Sequence, residues 1–249
     1  MGYEGSNPSL RIHMKALLYG KDAAVLQPQL IAAGIEVVSD SPDVVVSFGG
    51  DGTLLHAERA YPGVLKVPVR NSKICKLCPD LPHQELFARL AKNEFKISQV
   101  PKLQAVHAGE TQWALNDVLI SHTFPTHAIR FTITINGKAY AKGKEIVGDG
   151  IIVATPFGSG AYYRSITDGT FSTGIGLAFN NCTEQVEHIV LKETDTICFT
   201  LSRGEAQYTV DTEPLRPLSV GDTVEITSAQ EIPARIASFG EEFTYWNAN

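Results

Sequence analysis

The first apolar run of the chain, Lys15-Ala16-Leu17-Leu18-Tyr19, ends at Gly20, and Asp22 stands where it can cap a helix running to Ala33, with Gly34 to stop it. Pro28 interrupts that stretch, so a kink or a late start is expected. β-Branched runs over 35–38 and 44–47 read as buried strands, the second bounded by Ser41-Pro42-Asp43 and Phe48-Gly49-Gly50. Helical spacing follows over 53–60 and again over 81–92, where Leu86, Phe87 and Leu90 share a face. Strands alternating with helices predict a parallel α/β layer.

From about Val106 the texture changes to successive β-rich runs, over 113–122, 128–135, 138–147, 150–155, 197–202, 206–210 and 222–227. Asn136-Gly137 between two of them is a strong hairpin signal, because both residues tolerate positive φ. The expected fold class is therefore an α/β N-terminal domain with parallel strands plus a β-rich, mostly antiparallel second domain, with the boundary near residue 105. Residues 1–13 lack periodicity and read as a disordered extension. No solenoid repeat and no low-complexity linker separates the halves, so ligand chemistry is expected in the cleft between them.

Composition narrows the field. The 249 residues are 43% hydrophobic and 19% charged, and no apolar run approaches the ~20 residues of a membrane span. The net charge of -6 offers no positive field for nucleic acid, so neither nucleic acid nor membrane is an expected partner. No secretory pattern opens the chain, which makes a reducing compartment, the cytoplasm, the expected location. Cys75-x-x-Cys78 has no second pair at metal-site spacing and is read as binding no metal, its members being ordinary thiols.

Three elements carry chemistry. Gly49-Gly50-Asp51-Gly52-Thr53 follows a strand and precedes a helix, so glycine backbone N–H groups and a helix N-terminus converge where phosphate would sit. It is not a Walker loop, since no Gly-Lys-Ser/Thr follows. A carboxylate beside phosphate oxygens is repelled unless it binds Mg²⁺ or takes a proton from the attacking hydroxyl, and Asp51 is assigned one of those two roles, a helix-capping turn being the bland alternative. His56, one or two turns into the helix, is a candidate phosphate contact or an exposed or core-lining histidine. The second element is the strand Asp149-Gly150 to Thr155 running into Pro156-Phe157-Gly158-Ser159-Gly160-Ala161-Tyr162, where Asp149 can accept from a sugar hydroxyl and Tyr162 can face a base. The third is Asn116-Asp117, a polar pair inside an apolar stretch, suited to a ribose diol or else to a β-bulge or turn pair.

In this order and spacing the three elements resemble the NAD kinase family, whose pattern is a Gly-Gly-Asp-Gly-Thr loop, an Asn-acidic pair, and an Asp-Gly strand ending in Thr-Pro-x-Gly-Ser-x-Ala-Tyr. The loop is shared with lipid kinases and phosphofructokinases; the stretch from Asp149 to Tyr162 is the more specific part. The resemblance implies ATP- and Mg²⁺-dependent phosphorylation of the adenosine 2′-hydroxyl of NAD or NADH, with a homo-oligomeric assembly, dimer or tetramer. It implies that Asp51 activates the hydroxyl or organises the metal, and that Gly49, Gly50, Gly52, Thr53 and His56 serve ATP phosphates. Asn116, Asp117, Asp149, Thr155, Ala161, Tyr162, Ser165 and Asp211 would bind the dinucleotide. Residues 14–105 would be the ATP domain, 106–235 the NAD-binding domain, and 236–249, with Trp246, a segment returning to the first. The chain departs from the pattern at Asp117 (commonly Glu), Phe157 and Gly160 (commonly hydroxyl residues), Ile166 to Gly169, and after Asn71. A diacylglycerol-type lipid kinase and a non-catalytic dinucleotide sensor are the competing classes; no basic amphipathic stretch supports the first, and retention of Asp51 argues against the second.

Overall fold

The computed structural model describes residues 14–71, 78–184 and 186–240. Its first half is a parallel layer: β1 (Lys15–Tyr19), β2 (Glu36–Val37), β3 (Val44–Gly49) and β4 (Leu65–Arg70) stand in the order β4-β3-β1-β2. The helices are α1 (Gln27–Ala32), α2 (Asp51–Ala60) and α3 (His83–Ala91). Pro28 does delay α1: a 3₁₀ turn over Ala23–Leu26 precedes it, and the proline occupies its first turn, where the missing N–H costs nothing. Asp22, the expected cap, makes no side-chain cap bond. The run over 35–38 is not a buried strand but the two-residue edge strand β2, with Glu36 exposed; only Ile35 is fully in the core.

Val44, Val45 and Val46 illustrate why this layer forms. The β-branched run of β3 is buried on both faces, flanked by β1 and β4, as a parallel strand with helices on either side requires. Three strands follow, β5 (Lys96–His107), β6 (Glu110–Ala114) and β7 (Asp117–His122), and then β8 (Ile129–Ile135) and β9 (Lys138–Ala139). Asn136 and Gly137, at φ 51° and 72°, join β8 to β9 in a two-residue hairpin pairing Ile135 with Lys138, as expected. The run over 138–147 is broken, because Ala141 and Lys142 take positive φ before β10 (Ile146–Gly148) begins. The remaining elements are β11 (Gly150–Ala154), α4 (Tyr162–Thr167), β12 (Ile175–Asn180), β13 (Ile189–Leu191), β14 (Ile197–Arg203), β15 (Ala206–Val210), β16 (Arg216–Leu218) and β17 (Thr223–Ser238).

Among the described residues β7, β11, β12, β13, β15 and β16 form a six-stranded antiparallel sheet in the order β13-β12-β11-β7-β15-β16. The other strands join one 11-stranded sheet with the parallel layer at one end. The fold class read from the sequence is thus observed: a parallel layer with helices, and an antiparallel β unit. The residue-105 boundary, however, falls inside β5, whose pairing with β17 runs from Lys96–Ser238 to Val106–Glu225. The change of texture there marks a change of packing partner rather than a break in the chain's hydrogen bonding. This strand pair feeds two large hydrophobic cores, one under α1 and α3, reached by Ala237, the other between the two sheets, reached by Leu103, Ala105, Val224 and Ile226. At the end of β17 Ile236 pairs in parallel with Lys66, and Ala237 and Phe239 enter the first core. Trp246 and the extension 1–13 lie outside the described residues. Cys78 is disulfide-bonded, where the sequence predicts an ordinary thiol, and Cys75 is outside the described residues. No described helix is long and apolar enough to cross a membrane.

Candidate functional site

The phosphate loop begins where β3 reaches its carboxyl end. Gly50 is extended, its carbonyl accepts from the N–H groups of Thr53 (3.0 Å) and Leu54 (3.4 Å), and Asp51 is already the first residue of α2. A Cβ on Gly49 would come within 2.1 Å of Thr53 Oγ1, so glycine is required for the threonine to fold back over the strand end. Gly52 faces open space. Asp51 therefore sits, half-buried, at the electropositive end of a ten-residue helix beside backbone that a ligand can approach closely.

Asn116-Asp117 is neither a bulge nor a mid-strand pair: Asn116 lies in the link from β6 to β7, and Asp117 opens β7. What shapes this link is Asp211, at positive φ (48°) just after β15. Its Oδ2 accepts from Leu115 N at 2.8 Å, and its Oδ1 accepts from Asn116 N at 2.7 Å and Asp117 N at 3.2 Å. Asp211 thus holds the backbone that presents the pair. From the other side Thr155 Oγ1 donates to Leu115 O (2.6 Å) and accepts from Gly158 N (2.9 Å), while Thr155 N donates to Asn116 O (2.9 Å). A Cβ on Gly158 would lie 2.1 Å from Asn116 O, so the Thr155–Gly158 turn presses directly on the Asn116 backbone. Thr155, fully buried, acts on this backbone and does not face an open pocket.

A second polar group forms around Asp149. Asn181 Nδ2 donates to its Oδ2 at 3.1 Å, and His122 Nδ1 lies 3.6 Å from Oδ1. Tyr162, 43% exposed at the start of α4, has its hydroxyl 3.5 Å from Asn180 Nδ2, so its ring is available for stacking. Ala161 is exposed beside it, and Ser165 Oγ is bonded back to Tyr162 O at 2.7 Å within the helix.

Hydrophobic packing unites these groups. Leu54 and Leu55 of α2, Leu115 before the Asn-Asp pair, and Phe157 of the second motif form one buried cluster with Val100, Ala234 and Ile236. Phe157 is therefore an apolar peg that fixes the phosphate-loop helix against both other motifs. His56 also turns to the β unit, with Nε2 3.3 Å from Thr212 Oγ1, and the neighbouring Arg59 forms an ion pair with Glu213. His56 lies five residues beyond Asp51, about 7.5 Å along the helix, and its ring meets the β unit at Thr212. Sequence reading misses Glu58, Lys66 and Lys102, three buried charges joined through Glu58, which pairs with both lysines. A lysine in each of the apolar runs 65–69 and 100–103 was the available signal.

Burial, and secondarily the neighbouring Asp211, pushes the Asp117 carboxyl up to about 7; Asp211 is raised to about 6 by burial, against the three N–H bonds and Lys102 that favour its charge. Near neutrality the pair therefore retains a proton, held on Asp117 because Asp211 accepts the backbone donors. Since both folded-state values lie above those of an unfolded chain, the native state binds protons more tightly between about pH 4 and 7, and the contribution to stability falls as pH rises through that window. The ligand-free protein should lose roughly 10 °C of Tm between pH 5 and 7.5, the shift that about 4 kcal/mol makes in a chain this long. Asp117→Asn should flatten the profile; calorimetric scans across this range check it.

Known proteins resemble this chain in sequence and fold. No family model matches the chain. An NAD kinase of Sulfurisphaera tokodaii is 30% identical over 182 residues, 70% of this chain and 70% of that protein, and an NAD kinase of Koribacter versatilis is 27% identical over 205 residues, covering 76% and 70%. Yeast NADH kinase, solved in complex with NADH, superposes with a TM-score of 0.81 at 16% identity over 94% of this chain and 85% of its own. An NAD kinase from Archaeoglobus fulgidus in complex with ATP superposes with a TM-score of 0.75 at 20% identity, covering 94% and 96%. The solved structures establish the fold, and the Sulfurisphaera tokodaii relative, at its identity and coverage, establishes more: this chain belongs to the NAD kinase family of enzymes.

Proposed function

We propose that the protein transfers the γ-phosphoryl group of ATP to the 2′-hydroxyl on the adenosine ribose of NAD or NADH, giving NADP or NADPH. The observation that carries this reading is the buried cluster of Leu54, Leu55, Leu115 and Phe157, which packs the Gly-Gly-Asp-Gly-Thr helix against the two segments suited to a ribose and a base. Asn116 and Asp117 hold ribose hydroxyls, Asp117 offering a donor while it keeps its proton; Asp149 accepts from a sugar hydroxyl and Tyr162 stacks on a ring. Asp51 accepts the 2′-hydroxyl proton as the oxygen bonds to phosphorus and ADP leaves.

Mg²⁺ fits the donors present. Among the described residues no three His, Cys, Asp or Glu side chains converge, and a hard cation that keeps most of its waters needs one carboxylate and phosphate oxygens, which Asp51 beside the loop provides. When bound, the ion neutralises charge developing on the transferred group. Asp51, Gly49, Gly50, Gly52 and Thr53 orient the phosphates about it. A cytoplasmic, homo-oligomeric enzyme is part of the same reading.

Incubation with Mg-ATP and a panel of NAD, NADH and diacylglycerol, with products identified by mass, tests the reaction. NADP or NADPH is expected; phosphorylated lipid with neither would overturn it. Asp117→Ala should weaken NAD binding by about 1–3 kcal/mol, because ribose hydroxyls lose a buried partner. Unchanged NAD affinity of the folded variant in calorimetry would make the pair structural.

A further inference from the structure

A cavity of about 770 Å³ lies beside the candidate site and is distinct from it. Of the residues assigned above to phosphates or dinucleotide, Asp211 alone is in its wall. The other walls are the flank of α2 at Leu55 and Arg59, the edge strand β6 at Trp113, and the segment 230–233, where the register of β17 on β5 shifts and the chain loops out. Its volume is that of small-molecule sites, which run to roughly 300–1,000 Å³.

The lining selects a chemical class. Trp113 (48% exposed) and Ile232 (43% exposed) present large apolar surfaces to this space, and Leu115, Val210 and Pro62 continue them. Exposed aromatic and aliphatic side chains converging on one cavity favour a planar apolar ring. Polar side chains at Gln99 and Thr111 offer donors and acceptors for its edge. The charges cancel: Lys102 is paired with Glu58, Arg59 with Glu213, and Arg216 with Glu110 beyond the wall, while Arg235 and Glu231 bring one charge of each sign. Among the described residues a dianionic phosphate would find one cation of the wall without an ion pair, Arg235, set against two carboxylates, Glu231 and Asp211.

We propose that this cavity is a second ligand site for an uncharged heteroaromatic of nucleoside size, acting as an effector. Its occupant touches α2, the helix that begins with Asp51, and also Asp211, which holds the backbone of Leu115, Asn116 and Asp117. The buried Glu58–Lys102 pair at the same wall links α2 to β5. A ligand there biases the position of the phosphate loop relative to the ribose segment, which is a coupling between two sites.

Adenosine is the probe, titrated into full-length protein carrying Trp246→Phe, so that Trp113 is the sole tryptophan reporter, and saturated with NAD to occupy the dinucleotide site. Saturable quenching of Trp113 emission is expected, with AMP binding at least ~10-fold more weakly because its two charges meet the Glu231 and Asp211 carboxylates with only Arg235 to offset them. Ile232→Glu, an exposed substitution at the rim that the fold tolerates, should weaken adenosine at least ~10-fold and leave NAD affinity unchanged. Absence of a saturable signal above NAD, tighter binding of AMP than of adenosine, or indifference to Ile232→Glu would each overturn the proposal. A change of oligomeric state in Ile232→Glu, seen by sedimentation, would overturn it by making the cavity a subunit interface. If NAD itself fails to bind, the dinucleotide reading falls, while an adenosine site lost in Ile232→Glu still supports the effector site.

Discussion

Asp51→Asn is expected to fold normally, to bind NAD with near-native affinity, and to lose at least ~10²-fold in kcat. A sugar hydroxyl is a poor nucleophile at neutral pH, so its proton must leave as the bond to phosphorus forms, and a positioned carboxylate contributes roughly 10²- to 10⁴-fold to such transfers. Asn keeps the size of the side chain and removes only its charge. If the carboxylate organises Mg²⁺ instead, the same substitution weakens stabilisation of the transferred group, so both roles predict a fall in turnover. In the structure Asp51 is the first residue of α2, whose N-cap is Gly50. Single-turnover kinetics with thermal melts separate the outcomes. Near-native turnover, or a defect confined to Tm, would reduce Asp51 to a favourable charge at a helix N-terminus, worth about 0.3–1 kcal/mol.

Glu58→Gln should be the most damaging single substitution for stability, costing about 3–5 kcal/mol. Glu58 is 4% exposed and is the counter-charge for two lysines that are 0% and 5% exposed, Lys66 and Lys102. Lys66 is held further by the carbonyls of Tyr61 and Val64, the latter at 2.7 Å, which anchors the turn after α2. Burial pushes the Lys66 ammonium below its usual range, and Glu58 is the main partner opposing that. Removing the carboxylate charge leaves two desolvated cations facing each other. Chemical denaturation should show the loss, and Lys66→Met in the Glu58→Gln background should recover part of it, because one uncompensated charge is then gone. A loss below about 1 kcal/mol would show that water reaches the lysines.

How much of this could be read along the chain depends on the range of the interaction. The loop Gly49 to Thr53 is legible because strand, turn and helix start are set by neighbours within five residues, and the Asn136-Gly137 hairpin is legible for the same reason. The edge position of β2 is not, since its composition is that of a buried strand and only its place at the end of the sheet exposes Glu36. The residue-105 boundary follows a real change of texture, yet β5 runs through it, because the pairing of β5 with β17 is set by residues more than a hundred positions away. Phe157, in the sequence a departure from the family pattern, becomes a packing element only when α2 is laid against it.

By itself the sequence determined the family, the loop with Asp51, and the polar residues available to a dinucleotide, because each is a short motif whose spacing carries its chemistry. Only the tertiary structure decided that Asp211 holds the backbone of Leu115, Asn116 and Asp117 and that burial pushes the Asp117 carboxyl upward. It alone decided, too, that Glu58 neutralises two lysines and that a neutral, apolar-walled cavity lies behind Asp211. These depend on burial and on contacts between residues far apart in the chain, which fix the cost of a charge and the partner of a hydrogen bond, and no local pattern encodes either.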